Sequence, residues 1–376
     1  MRQSLLWLLL AAIPTCSSTN GANDIVGPTN GQPLAIVNVN VIPMDREIVL
    51  ESQTVVVREG RIVSIAPSAS AETPADATVI DGRGDYLMPG LIDMHVHIRS
   101  SEVEQYLPAG VTTVRNMWGY TTLGNIVRDI DEGRRKGPRI FSLTSGFDGS
   151  PAVWPETQIS DDPAAIAPLI DRQYELGYRE VKIYQKLSRA SYDTIVAIAR
   201  RKGMTIAGHK PSAVPLSHLL ASGQRSLEHL GGYVDPGDLD ARIAATVAAG
   251  AYVCPTLAIQ SMLNPESVTA RHREVVGALD RGGVKLLVGS DAGIDRTAAG
   301  SSIHDELAMF VQSGVSPYRA LLGATRTAAE YLGQSAGIGA VKVGMEADLL
   351  LLRSNPLQDI RATRDIRAVI YNGRVL

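Results

Sequence analysis

Residues 91–98 read LIDMHVHI. The run is apolar enough for a buried strand, yet it carries Asp93, His95 and His97. Side chains on a strand alternate between its two faces, so Asp93, His95 and His97 share one face while Met94 and Val96 point the other way. Two imidazoles on one face can grip a single metal ion, and Asp93 is placed to orient one of them from behind. The alternative is a pair of satisfied core histidines. The rest of the chain favours the metal, because polar residues recur at the ends of other apolar runs.

Those runs are LIDMHVHI, GVTTVRNMW, RIFSLTS, EVKIYQK, MTIAGHK, RSLEHLG, AYVCPTL and KLLVGSDAG, all within 90–337. Helical stretches lie between and after them, at 163–177, 189–203, 213–222, 238–249, 267–282, 303–313 and 317–332. Several of these end in Gly. Strands alternating with helices predict an α/β protein, here a (β/α)8 TIM-like barrel. A doubly wound open sheet is disfavoured, since no GxGxxG follows the first strand. Residues 34–89 and 338–376 have a different texture, with β-branched runs broken by Gly, Pro and Asp. A hairpin is predicted at Glu59-Gly60. The two ends together predict a small β-sandwich domain beside the barrel.

Active sites of such barrels sit at the C-terminal ends of the strands. Placed there are His95 and His97, Lys182, His209, His229 and Asp291, on five of the eight strands. Lys182 is the odd member, since its neighbours Val181 and Ile183 face outward and it faces in. A buried ammonium is costly unless paired, and burial lowers its pKa. A neutral amine can take up carbon dioxide and become a carbamate able to bridge two metals. A salt bridge to Asp291 or Glu180 is the other reading, and the residues alone leave both open. Imidazole and carboxylate together suit Zn, Mn, Co or Fe. The only cysteines are Cys16 and Cys254, and Cys254 reads as a small core residue. His218 and His272 read as solvated helix positions, while His304 opens the helix after the last strand and is a candidate substrate contact.

The chain has 376 residues, 45% apolar and 20% charged, with a formal net charge of -3. It carries no Lys/Arg cluster, which argues against a nucleic-acid partner. Residues 1–19 read as a signal peptide and 20–33 as a linker. Export to the periplasm or the extracellular space is therefore expected. Cys16 follows the apolar run as in a bacterial lipoprotein signal, so a lipid anchor is the alternative to plain secretion.

The motifs YLMPGLIDMHVHI, AGVTTVRNM, VKIY, AGHK, LEHL and VGSDAG, with the tail ALLGATRTAAEYLG…GIGAVKVGMEADLLLL…NPL, resemble the metal-dependent amidohydrolase superfamily. The resemblance covers roughly 34–376. It is strongest to the branch of imidazolonepropionase-like proteins, Xaa-Pro dipeptidases and N-acyl amino-acid hydrolases. It implies that His95 and His97 bind a first metal, His209 and His229 a second, and that carboxylated Lys182 bridges them. Asp291 would bind the first metal and move protons. Imidazolonepropionase itself uses one metal and no carboxylated lysine, so Lys182 points to the binuclear members.

The implied function is hydrolysis of an amide in a dipeptide such as Xaa-Pro, or in an N-acyl amino acid, by a hydroxide bridging two divalent ions, expected to be zinc. Tyr184, on the Lys182 face, is a candidate donor to the developing oxyanion. A substrate carboxylate needs a cationic partner, and Arg115, Lys210 and Arg296 are candidates beside His304. Trp154 lies in a long loop that is a candidate lid. An esterase, lactonase or phosphotriesterase at the same site, or a non-catalytic metal- or ligand-binding barrel, are the competing readings. The expected partners are a small amide or dipeptide and further copies of the chain.

Overall fold

The computed structural model describes residues 31–120, 122–294 and 297–376. The expected signal peptide, Cys16, most of the linker and Arg296 lie outside the described residues.

Eight parallel strands occupy the places the sequence marks for them. Strands one to three are Leu91–Val96, Val111–Asn116 and Arg139–Ser142, paired in that order in one sheet. Strands four to eight are Glu180–Ile183, Thr205–Gly208, Ser226–Glu228, Tyr252–Cys254 and Lys285–Leu286, consecutive neighbours in a second sheet. Two short strands, Phe147–Asp148 and Gln158–Ile159, extend the second sheet beside strand four. Backbone hydrogen bonds join the two sheets on both sides. Thr144 N donates to Glu180 O at 3.0 Å, and Met94 N donates to Val288 O at 2.9 Å. The ladders are thus two parallel sheets stitched at their margins rather than one continuous ring.

Helices Ile166–Glu175, Arg189–Arg201, Leu216–Ala221, Leu239–Ala249, Glu266–Arg281 and Ser302–Gln312 fall within or close to the predicted ranges. Two more were not read from sequence. Leu123–Asp131 contains Gly124, a poor helix residue, and Leu257–Leu263 is only seven residues long. The expected helix at 317–332 breaks into Pro317–Gly323 and Arg326–Tyr331. At the break Ala324 O accepts from Ile92 N at 2.7 Å, which ties strand one to the end of the chain's helical part.

The outward strand faces carry the core. Val96, Val114, Val181, Ile206, Leu227 and Val253 pack against Ile195, Leu219, Val276 and Leu307 in one buried cluster. Each fully buried Val or Leu contributes roughly 1.5–3 kcal/mol, so the inward face is free to be polar.

The terminal segments form one eight-stranded ladder. The reason is the strand Leu349–Leu352, which pairs antiparallel with both Tyr86–Pro89 and Ile366–Tyr371 and so joins N- and C-terminal strands in one ladder. The sheet covers its own cluster, including Ile36, Val55, Leu87, Leu349 and Ile370. The hairpin turns at Glu59 and Gly60, both with positive φ (50° and 76°), as a two-residue type I′ connection requires.

Candidate metal centre

Four imidazoles stand in a row at the C-terminal strand ends. Ring centroids are 5.4 Å apart for His97 and His95, 5.1 Å for His95 and His229, and 4.6 Å for His229 and His209. The Tyr184 ring follows at 4.2 Å from His209. Asp291 Oδ1 lies 3.4 Å from His95 Nε2 and 3.1 Å from His97 Nε2, yet it has no aligned hydrogen-bond donor. These three atoms converge as ligands do.

The loop after strand eight is shaped for this approach. Asp291 N donates to His95 O, and His97 N donates to Ala292 O, each at 2.7 Å. Gly289 and Gly293 make the contact sterically feasible. A Cβ on Gly289 would sit 2.6 Å from His95 Cβ, and one on Gly293 would sit 1.7 Å from His97 O. His229 and Asp291 themselves have positive φ (64° and 57°), a strained backbone of the kind that clusters at functional sites.

Each of two imidazoles is held from behind. His95 Nδ1 is 2.8 Å from Glu228 Oε2, and His229 Nδ1 is 2.6 Å from Thr256 Oγ1. Thr256 is itself left-handed (φ 53°). Buried Glu306 fixes that turn by accepting from the backbone N–H of Leu257 at 2.8 Å and Ala258 at 2.6 Å. Neither Glu228 nor Glu306 was singled out in the sequence. Glu228 had a local signal, since it lies two residues after Ser226 on an inward face; Glu306 had none.

Asp93 does not serve an imidazole ring. It accepts from Ser290 N at 2.9 Å, Ser290 Oγ at 2.5 Å and His95 backbone N at 3.3 Å. It therefore holds the strand-eight loop against strand one, and burial pushes its pKa up to about 7.

Lys182 is wholly buried and its Nζ has no hydrogen-bond partner. The salt bridge to Glu180 is not formed, because Glu180 is taken by Arg115, Tyr331 and Thr205. No ion pair to Asp291 forms within 4 Å among the described residues. Burial pulls the Lys182 pKa down to about 8, His95 to about 3, and His209 and His229 below the usual imidazole value. His209 Nδ1 is likewise buried without a partner. Imidazoles, a carboxylate and an orphaned amine form a donor set that fits divalent metal.

A second group, His95, Glu228 and Cys254, also lies close together. It is not a competing site. Both Glu228 oxygens are already engaged, and burial pushes the Cys254 thiol well above its ordinary pKa.

The imidazoles open into a cavity of about 400 Å³ lined by Tyr184, Trp154, Lys210, Leu230, Val234, Ile259, Gln260, Leu263 and His272, among others. Lys210 and Tyr184 are thus where a substrate would meet them. Three other expectations change. Arg115 is completely buried in ion pairs below the imidazoles and is no substrate anchor. His304 points away, with Nδ1 2.9 Å from Thr363 Oγ1 and Nε2 3.0 Å from Ala109 O. His272 is buried against the cavity rather than solvated, because its helix turns that face toward the mouth. His218 is half-buried and pairs with Asp193 at 2.5 Å. Trp154 Nε1 donates to Tyr184 OH at 2.7 Å, which brings the predicted lid over the cavity.

The chain is similar to known proteins in sequence and in fold. The protein named adenine deaminase 2 of Rhizobium etli is 30% identical over 351 residues, covering 87% of this chain and 55% of that protein. The chain spans about half the length of the curated relatives it matches. Among solved structures, a putative prolidase from Bifidobacterium longum superposes with a TM-score of 0.78 at 24% identity, covering 92% of this chain and 94% of that one. A Xaa-Pro dipeptidase with bound methionine gives 0.79 at 22% identity, covering 92% and 100%. At these identities the likeness carries the fold alone, and it implies a TIM-like barrel. Residues 86–376 match the sequence model of the Amidohydrolase family, a span that holds every side chain of the imidazole row, Lys182 and Asp291. The chain belongs to the amidohydrolase family, whose members are metal-dependent hydrolases.

Proposed function

We propose that the protein cleaves the C–N bond of a small amide carrying a carboxylate, a dipeptide such as Xaa-Pro or an N-acyl amino acid. His95, His97 and Asp291 would hold one divalent ion and His209 and His229 a second, with carboxylated Lys182 as their shared ligand and zinc as the expected metal. The observation that carries this reading is the buried, unpartnered Lys182 amine beside the imidazole row. Bound there, such ions polarise a carbonyl and generate a nucleophile from water near neutral pH.

The chain's own residues then do the following. Asp291 is buried with its Oδ1 free of any aligned donor, so as the carboxylate it accepts the nucleophile's proton and returns it to the leaving nitrogen. Burial raises the Tyr184 pKa, so the phenol stays protonated. Its oxygen accepts from Trp154, which leaves its own hydrogen for a substrate oxygen. Leu230, Val234, Ile259 and Leu263 give the cavity an apolar wall, and Lys210 supplies a cation for the substrate carboxylate. Lys210→Gln is accordingly expected to raise KM about tenfold with kcat little changed, measured on the best substrate of a panel.

That panel is the test of the reading. It combines Xaa-Pro dipeptides, N-acyl amino acids, lactones, a phosphotriester and adenine, run alongside metal analysis. Deamination of adenine is the second reading, favoured by the 30% identity to the Rhizobium etli protein. Release of ammonia from adenine at a kcat/KM above that for every amide would overturn the amide assignment. Full activity in protein stripped of transition metal would overturn the mechanism.

A further inference from the structure

His95 is backed by a buried charge pair that the reaction as derived above does not use. Arg115, on strand two, is fully buried. Its guanidinium donates to Glu180 Oε2 from Nε at 3.2 Å and to Glu228 Oε1 from Nη1 at 3.1 Å. Nη2 donates to Ser226 Oγ at 3.0 Å and Tyr331 OH at 2.8 Å. The Tyr331 ring lies 4.4 Å from the guanidinium carbon. A planar fork of donors with this many fixed acceptors has one orientation.

That orientation divides the two oxygens of Glu228. Oε1 accepts from Arg115 and from Ser226 Oγ. Oε2 is left for His95 Nδ1 at 2.8 Å. A carboxylate only accepts, so the proton of His95 sits on Nδ1 and the lone pair of Nε2 faces Asp291 Oδ1. We propose that Arg115 and Glu228 are positioning residues that set the tautomer and the aim of His95, so that an ion pair buried behind the site sets how tightly the site holds metal. The inference rests on reading the imidazole row as a metal centre. A pair kept only for stability gains little over apolar packing of the same volume and has no reason to end on a ligand's second nitrogen.

Glu228→Gln tests it, being nearly isosteric while removing the charge and offering His95 an amide donor. Two quantities are read. Long-range 1H–15N NMR of the metal-free protein reports which His95 nitrogen is protonated, expected to be Nδ1 in the wild type and Nε2 in the variant. Competition with a chelator reports zinc affinity, expected to fall about 10–100-fold in E228Q and about tenfold in Arg115→Lys. Arg139→Gln is the control, since it breaks the 3.1 Å pair with Asp348 away from the site. It is expected to lower the melting temperature and leave zinc affinity alone. Wild-type zinc affinity and an Nδ1 proton in E228Q would overturn the inference. A wild-type protein that takes up no zinc in the same titration would instead overturn the metal reading beneath it. Should E228Q not fold, Ser226→Ala removes one donor from Glu228 Oε1, and unchanged zinc affinity in that variant overturns the inference equally.

Discussion

Asp291→Asn is expected to lower kcat by about 10³-fold while the protein stays folded and keeps most of its metal, a loss in the usual range for removing a general acid–base group. The amide keeps an oxygen where Oδ1 stands between His95 Nε2 and His97 Nε2. It has no basic lone pair to take the nucleophile's proton. Asp291 is also buried, left-handed and tied through its backbone N–H to His95 O, so a variant of nearly the same shape leaves the loop in place. Steady-state kinetics set beside metal content give the answer. Metal lost in step with activity would reduce Asp291 to a ligand, and unchanged kcat would remove it from the chemistry.

Lys182→Met is expected to abolish measurable turnover and metal retention, and at the same time to make the metal-free protein more stable. The two effects have one cause. The ammonium is buried with no partner, and replacing such a group by an apolar one of similar length relieves a cost of about 1–3 kcal/mol. A structural lysine would behave in the opposite way. Melting temperature of the stripped wild type and variant decides between them, and a lower value for Lys182→Met sinks the functional role. The pH dependence has a definite sign as well. The folded pKa of about 8 lies below the ordinary lysine value of 10.5, so between these values the unfolded chain binds more protons than the folded one. Stability of the metal-free wild type therefore rises with pH across that window, and the variant lacks this rise. Lys182→Ala leaves room for an exogenous ligand, and short carboxylic acids are expected to restore part of the activity by taking the place of the carbamate oxygens.

Much of the site was legible because its signals are local. His95 and His97 are two apart on a strand that repeats by two, and Lys182 alternates with Val181 and Ile183. Those relations hold whatever the strands pack against, and the structure brings these residues together with His209, His229 and Asp291. Residues whose surroundings come from elsewhere in the chain were misread. Arg115 looked like a substrate anchor, but its partners Glu228 and Tyr331 are 113 and 216 residues away. His304 looked like a mouth residue, but Thr363 and Ala109 claim both nitrogens. His272 read as solvated because helix periodicity does not say which face meets the cavity.

The sequence by itself thus determined the alternation of strands and helices and the order of the strand-end imidazole, amine and carboxylate side chains, since period, spacing and strand-end position are properties of short segments, and its motifs carried the resemblance to the family. Tertiary structure alone decided that the terminal strands join one sheet through Leu349–Leu352, that Asp93 serves the Ser290 loop rather than an imidazole, and that Glu228 and Thr256 hold the rings of His95 and His229. Each of those outcomes is a choice among hydrogen-bond partners distant in sequence. Only the packing of strand against strand determines which partner is within reach.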